Sequence, residues 1–150
     1  MPSPPRPSNQ IISVPVPNQL ASEDKCVLTG RVLQVLRNWG LEPMVQCELL
    51  GLSPADAGRL YRRLKMGASL PEDPEIWLRV ALLLRLDNAL HQIFPHSAYS
   101  ANLWVTSPNP RCSQQTPLAV MLAGGLEAMR RIEMAADNLD PLTIAKQLEV

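Results

Sequence analysis

The stretch GLSPADAGRLYRRLK, residues 51–65, concentrates positive charge in a chain whose formal net charge is zero. Gly51 interrupts the helical periodicity, and Ser53 followed by Pro54 is typical of a helix start. Asp56 stands three residues after Ser53, where its carboxylate is placed to complete a capping box. At about 100° per residue, the predicted helix has an apolar face and an opposite, basic face. The apolar residues are Ala57, Leu60, Tyr61 and Leu64, and the basic residues are Arg59, Arg62 and Arg63.

The residues before Gly51 indicate a partner helix. Pro43 suits a first helical turn, and this helix is predicted to run to about Leu50. The small side chain of Cys47 lets two helices cross closely, and Gly51 tolerates the positive φ of a tight turn. Two helices joined in this way are typical of a helix-turn-helix, whose second helix enters the major groove of DNA. The sequence therefore predicts DNA binding through Ser53, Arg59, Arg62, Arg63 and Lys65.

Local charge supports this interpretation. Residues 24–65 contain seven Lys or Arg and four Asp or Glu, although the whole chain has 14 residues of each sign. A local positive excess attracts the phosphate backbone, and arginine can also donate two hydrogen bonds to guanine. The alternative is that the arginines form an ordinary solvated face and the helix pair a corner of a bundle. Because one copy offers a small footprint, we expect a homodimer on DNA.

Apolar residues recur at helical spacing along much of the remaining chain, so the predicted fold class is all-α. A first helix is expected from about residue 24 to residue 39, where Gly40 follows as a left-handed cap. A long central helix is predicted from Pro74 towards Phe94, with a broad apolar stripe along it. The three tryptophans are expected in the core; they are Trp39, Trp77 and Trp104.

The second half of the chain has clear helix-start and helix-stop signals. The passage after Pro95 is polar and rich in turn-forming residues, so it is predicted to be loop. Thr116 is expected to cap a helix that starts at Pro117. The glycine pair 124–125 is expected to end that helix, and a last helix to cover residues 126–138.

With 150 residues, the chain has the length of one ordinary globular domain. Residues 1–22 contain six prolines among polar residues, which predicts a disordered arm. We assign residues 23–70 to the helix-turn-helix region, residues 71–98 to a central core and dimerisation helix, and residues 99–150 to a C-terminal partner-binding region.

Membrane and secretory functions are disfavoured. No stretch approaches the roughly 20 consecutive apolar residues that a bilayer span needs. The first residues, MPSPPRPSNQ, lack the basic start and apolar block of a secretory signal. We expect a cytoplasmic protein with no membrane partner.

The residue types that carry chemistry are few. Cys26, Cys47 and Cys112 are odd in number and far apart, which argues against disulfides and against zinc. His91 and His96 are expected on a helix surface or at a cap. Because no nucleophile elbow, phosphate loop or HExxH motif is present, we predict no enzyme activity and no cofactor.

Four segments together resemble a known family. They are GLSPADAGRLYRRLKMGASLPEDPEIWLRVALLL, HQIFP, LWVTSPNP and TPLAVMLAGGLEAMRRIE, within residues 26–138. In this order they resemble the Xre/MbcA/ParS family of bacterial antitoxins, the partners of RES-domain toxins. The resemblance depends on a Trp-containing loop with Asn and Pro, a Thr-Pro-Leu helix start and a glycine before the last helix. It implies an N-terminal DNA-binding part and a C-terminal part that covers the active site of an NAD-consuming toxin.

By position, the resemblance places toxin binding on the last helix and the tail. The residues implied are Arg130, Arg131, Glu133, Met134, Asn138, Leu148 and Val150. Residues 127–150 carry five acids and three bases, and an acidic, partly apolar end suits a basic cleft. Ile132, Ala135, Ala136 and Leu139 are expected in the core instead.

The expected function is therefore that of an antitoxin in a type II toxin-antitoxin system. It neutralises a RES-domain toxin by binding over the active site, and it represses its own operon by binding operator DNA. The alternative is a stand-alone helix-turn-helix transcriptional regulator, whose second half serves only to dimerise.

Overall fold

A computed structural model of the protein describes residues 22–138. Within these residues there are six α-helices and no strand, which confirms the all-α prediction. The helices are α1 (Ser22–Asn38), α2 (Pro43–Leu50), α3 (Pro54–Lys65), α4 (Pro74–Ile93), α5 (Ala98–Trp104) and α6 (Pro117–Asp137), and a 3-10 turn covers Pro110–Cys112. The predicted arm lies outside the described residues except for Ser22, and so does the tail from residue 139. None of the described helices is long and apolar enough to cross a bilayer.

Helix α4 is the centre of the fold and packs against α1, α2, α5 and α6. Its start was predicted correctly at Pro74, where the Asp73 side chain accepts a hydrogen bond of 3.0 Å from the Glu75 N–H. Trp77 is buried, and its Nε1–H donates to the Pro71 carbonyl at 2.9 Å, so the buried donor has a partner. The predicted apolar stripe is thus the core of the chain. The dimerisation role of this helix stays a prediction.

All three tryptophans are buried, as predicted. Helix α1 also agrees with the prediction, since it ends at Asn38 and Gly40 follows with a φ of +79°. The chain that connects α3 to α4 is held against α1, because the Leu70 N–H donates to the Thr29 hydroxyl at 3.1 Å and Lys25 pairs with Glu72. The Lys25 ammonium, through its hydrogen bond and its charge, lowers the pKa of Glu72. These contacts fix the C-terminal end of α3 on the body of the fold.

Helices α2 and α3 form the predicted pair around Gly51. This glycine has a φ of +81°, and a Cβ there would lie 2.7 Å from Nη1 of Arg79 on α4. Both features favour glycine at the turn. Cys47 is buried, with its Sγ 3.8 Å from the Ala57 carbonyl oxygen, so the small residue lies at the close crossing of the two helices, as expected.

The predicted cap of α3 was wrong in its detail. Within the described chain, the Ser53 hydroxyl makes no capping hydrogen bond, although Ser53 does occupy the cap position. A capping hydroxyl at Ser53 would accept a hydrogen bond from the Asp56 N–H. That N–H donates to the Ser53 carbonyl at 3.0 Å instead. The Asp56 carboxylate accepts a hydrogen bond from Arg59 at 2.9 Å and does not complete a capping box. A charged donor one turn away is the stronger partner for this carboxylate.

The predicted loop after Pro95 was also wrong in part, because it contains α5. The Ser97 hydroxyl caps this helix by accepting a hydrogen bond of 3.1 Å from the Ser100 N–H. The helix has only seven residues, too few to be stable alone, and it is held by burial of Ala101 and Trp104. Tertiary packing therefore decides its formation.

Helix α6 begins as predicted, since the Thr116 hydroxyl accepts a hydrogen bond of 3.0 Å from the Ala119 N–H. Gly125 has a φ of 65° and a ψ of −147°, which are not helical, so the helix is interrupted at the predicted glycine pair. Two helical segments meet there, and the second one carries four of the residues implied in toxin binding: Arg130, Arg131, Glu133 and Met134.

Candidate functional site

The outer side of α3 has the character that the sequence predicts. Ala57 and Leu64 are buried against the fold, whereas Leu60 and Tyr61 are half-buried beside them. On the opposite side Arg59, Arg62 and Arg63 are exposed, and Lys65 is exposed at the edge beside Tyr61; we call these four residues the basic face. The helix therefore presents guanidinium groups on a surface whose other side is anchored in the core.

The four cations differ in their partners. Arg59 pairs with Asp56, and both side chains are at least half exposed, which makes this a weak, solvent-screened ion pair. Lys65 lies over the Tyr61 ring with its Nζ 5.9 Å from the ring centroid. Among the residues that the structure describes, Arg62 and Arg63 have no carboxylate within ion-pair distance. Both of these guanidinium groups are available to an external anion.

Helix electrostatics account for part of the charge pattern. Asp56 is in the first turn of α3, and Arg62, Arg63 and Lys65 are in the last turn. Each of these positions is favourable with respect to the helix dipole, by about 0.3–1 kcal/mol at an exposed site. The alternative of a solvated, helix-stabilising face therefore explains the last turn. Arg59, in the middle of the helix, is accounted for in the same way by its ion pair with Asp56.

Ser53, predicted to contact DNA, is exposed at the start of α3. It lines a groove of about 530 Å³ between α2 and the turn, together with Met44 and Glu48. Ser53 is thus at the same end of the basic face as Arg59.

The second segment of α6 presents the other predicted surface. Arg130, Arg131, Met134 and Asn138 are all exposed there, at spacings of three and four residues that place them on one side of the helix. We call these four residues the α6 face. Met134 has 60% of its surface exposed, as does Val27, while Met66 and Tyr99 are more exposed still. A single exposed apolar side chain is common on protein surfaces, so Met134 belongs to the predicted surface by its position on the helix.

Glu133 was also predicted to bind the toxin, but it does not belong to the α6 face. Glu133 is half-buried in a cleft of about 190 Å³ that α4 lines with Arg85. Burial raises the pKa of Glu133; the nearby Arg85 lowers it and Asp137 raises it further. Leu148 and Val150 lie outside the described residues. Glu133 therefore lies on the side of α6 that is turned towards α4, and it is not part of the α6 face.

The residues predicted for the core of this helix agree with the structure. Ile132 and Ala136 are buried and Ala135 is half-buried, while Leu139 lies outside the described residues. His91 and His96 are exposed, as expected, with His91 on the surface of α4. The three cysteines are free.

Two contacts of the basic face were not predicted from the sequence. The ion pair of Asp56 with Arg59 and the stacking of Lys65 on Tyr61 follow from spacings of three and four residues in a helix. The helix was predicted, so these spacings were a usable signal. Arg79, which covers Gly51 from α4, has no local signal because it is 28 positions away along the chain.

Comparison of this chain with protein-family models, with curated proteins and with solved structures found no match.

Proposed function

We propose that this protein is a DNA-binding antitoxin of the Xre/MbcA/ParS type. It binds operator DNA through a helix-turn-helix formed by α2 and α3, and it binds a RES-domain toxin through its C-terminal part. The observation that carries the proposal is the basic face of α3, exposed opposite a buried seam. The resemblance described for residues 26–138 supports the toxin partner.

In the DNA complex, α3 lies in the major groove with its basic face towards the bases and phosphates. Arg62 and Arg63 hold phosphates or make bidentate contacts with guanine, because their guanidinium groups are unpaired within the described chain. The close contact of Cys47 with Ala57 keeps α2 and α3 in a fixed relation, so the reading helix is pre-positioned. A homodimer presents two such helices to the two halves of a palindromic operator.

In the toxin complex, the α6 face and the acidic tail form the contact surface. Met134 supplies an apolar anchor, and Arg130, Arg131 and Asn138 supply polar contacts around it. The acidic residues of segment 127–150 are complementary to a basic cleft that holds the phosphates of NAD. Binding over that cleft blocks the toxin's active site. The protein itself is not an enzyme and acts in the cytoplasm.

A salt titration of DNA binding tests the proposal. The full chain is expected to bind a duplex taken from upstream of its own gene more tightly than a scrambled duplex of the same composition. Phosphate contacts release counterions, so a plot of log affinity against log salt should have a slope of about −3 or steeper for three or more contacts. Fluorescence anisotropy at several salt concentrations measures both quantities. Equal affinity for the two duplexes would contradict operator recognition.

A further inference from the structure

Gly58 lies inside α3, on its exposed side. Its backbone is helical, since the positive-φ glycines of the described chain are Gly40, Gly51, Gly67 and Gly125. After proline, glycine is the least favourable residue in a helix interior, because it loses the most backbone entropy and adds no side-chain contact. A glycine at this position therefore destabilises the helix that carries the basic face.

The fold offers no reason for this glycine. A Cβ added at Gly58 would meet no atom of the described residues within 4 Å. At Gly51, by contrast, the positive φ strains any larger residue, and the Arg79 side chain would have to shift to make room for it. Alanine at position 58 would fit among the described residues and favour the helix, so these residues give no reason for a glycine here.

The position of Gly58 on α3 indicates which external surface approaches the helix backbone there. Gly58 precedes Arg62 by four residues and Lys65 by seven, so the three lie in one row on the outer side of α3. Arg59 follows it directly. The α3 backbone therefore carries no side chain at the N-terminal end of the basic face. This is the end at which a recognition helix approaches base edges most closely.

We propose that Gly58 is a close-contact position, at which the wall of the DNA major groove comes within van der Waals distance of the α3 backbone. The inference rests on the proposed DNA-binding function. Without a Cβ at position 58, the helix axis lies nearer to the bases, and the neighbouring Arg59 and Arg62 reach them. A methyl group there holds the helix away from the groove and lengthens the contacts of both arginines.

The test compares Gly58→Ala with a matched variant, Gly30→Ala. Gly30 is likewise exposed inside a helix, α1, and a Cβ there would also meet nothing within 4 Å in the described chain. Both variants are made in the full chain, and both should raise the melting temperature by about 4 °C through helix propensity. Only Gly58→Ala should weaken binding to the upstream duplex, by about tenfold, as expected for overpacking at a close contact.

The outcomes separate this inference from the proposed function. A more stable Gly58→Ala variant that binds the duplex as tightly as the wild type overturns the inference, even if replacing the arginines abolishes binding. A Gly58→Ala variant with a lowered melting temperature also overturns it, since the glycine is then needed by the fold. A wild-type chain that does not bind the duplex refutes the proposed function, and the inference with it.

Discussion

Replacing Arg59, Arg62 and Arg63 together with alanine is expected to weaken binding to the upstream duplex by at least about 100-fold. Each arginine that contacts a base or a phosphate contributes on the order of 1 kcal/mol or more. The three side chains are exposed and contribute little to the core, so the helix content should be unchanged. Anisotropy measures the affinity, and circular dichroism measures the helix content.

The control removes the same charge from another surface. Arg31, Arg37 and Arg111 are also exposed, and their triple replacement with alanine lowers the net charge equally. Since long-range attraction is screened beyond about 8 Å at physiological salt, this control should lose much less affinity. Equal losses in the two triple variants would show that the charge acts without a docked helix, which contradicts the placement of α3 in the groove.

Under the proposed antitoxin function, replacing Met134 with aspartate is expected to weaken binding to the RES-domain toxin by about 30-fold. A central apolar anchor in an interface typically contributes about 2 kcal/mol. Aspartate removes this contact and adds a charge that must lose its water on binding. The affinity is measured by calorimetry with the purified partner, and protection is measured in cells that express it.

The matched control for Met134 is Val27→Asp. Val27 on α1 has the same exposed fraction, 60%, but it lies outside the α6 face. This variant should bind the partner like the wild type, and both variants should keep operator binding. If Met134→Asp also leaves partner affinity unchanged, the α6 face is not the toxin surface. A chain with no affinity for the RES-domain toxin would favour the stand-alone regulator.

Local signals were sufficient to predict most of the helices. Pro43, Pro54, Pro74 and Pro117 each begin a helix, because proline lacks the N–H that a first turn leaves unpaired. Glycine marked the end of α2 and the interruption of α6. Helix α5 was missed because its seven residues depend on the burial of Trp104, and burial against a distant helix leaves no periodic signal in so short a segment.

The candidate site, like the fold, was predicted in part. The opposed faces of α3 follow from helical spacing alone, and the structure has them where expected. The placement of Glu133 was missed although spacing indicates it, because Glu133 stands four residues after Met129 and three before Ala136, both of which are buried. The capping box failed for a local reason, since Arg59, one turn along the same helix, pairs with the Asp56 carboxylate.

The most direct measurement is the response of backbone amides in the ¹⁵N-labelled full chain to the upstream duplex. If the basic face lies against DNA, the largest chemical-shift changes should fall within residues 51–65, while α6 should change little. Changes centred on α6 or α1, with α3 unaltered, would contradict the account.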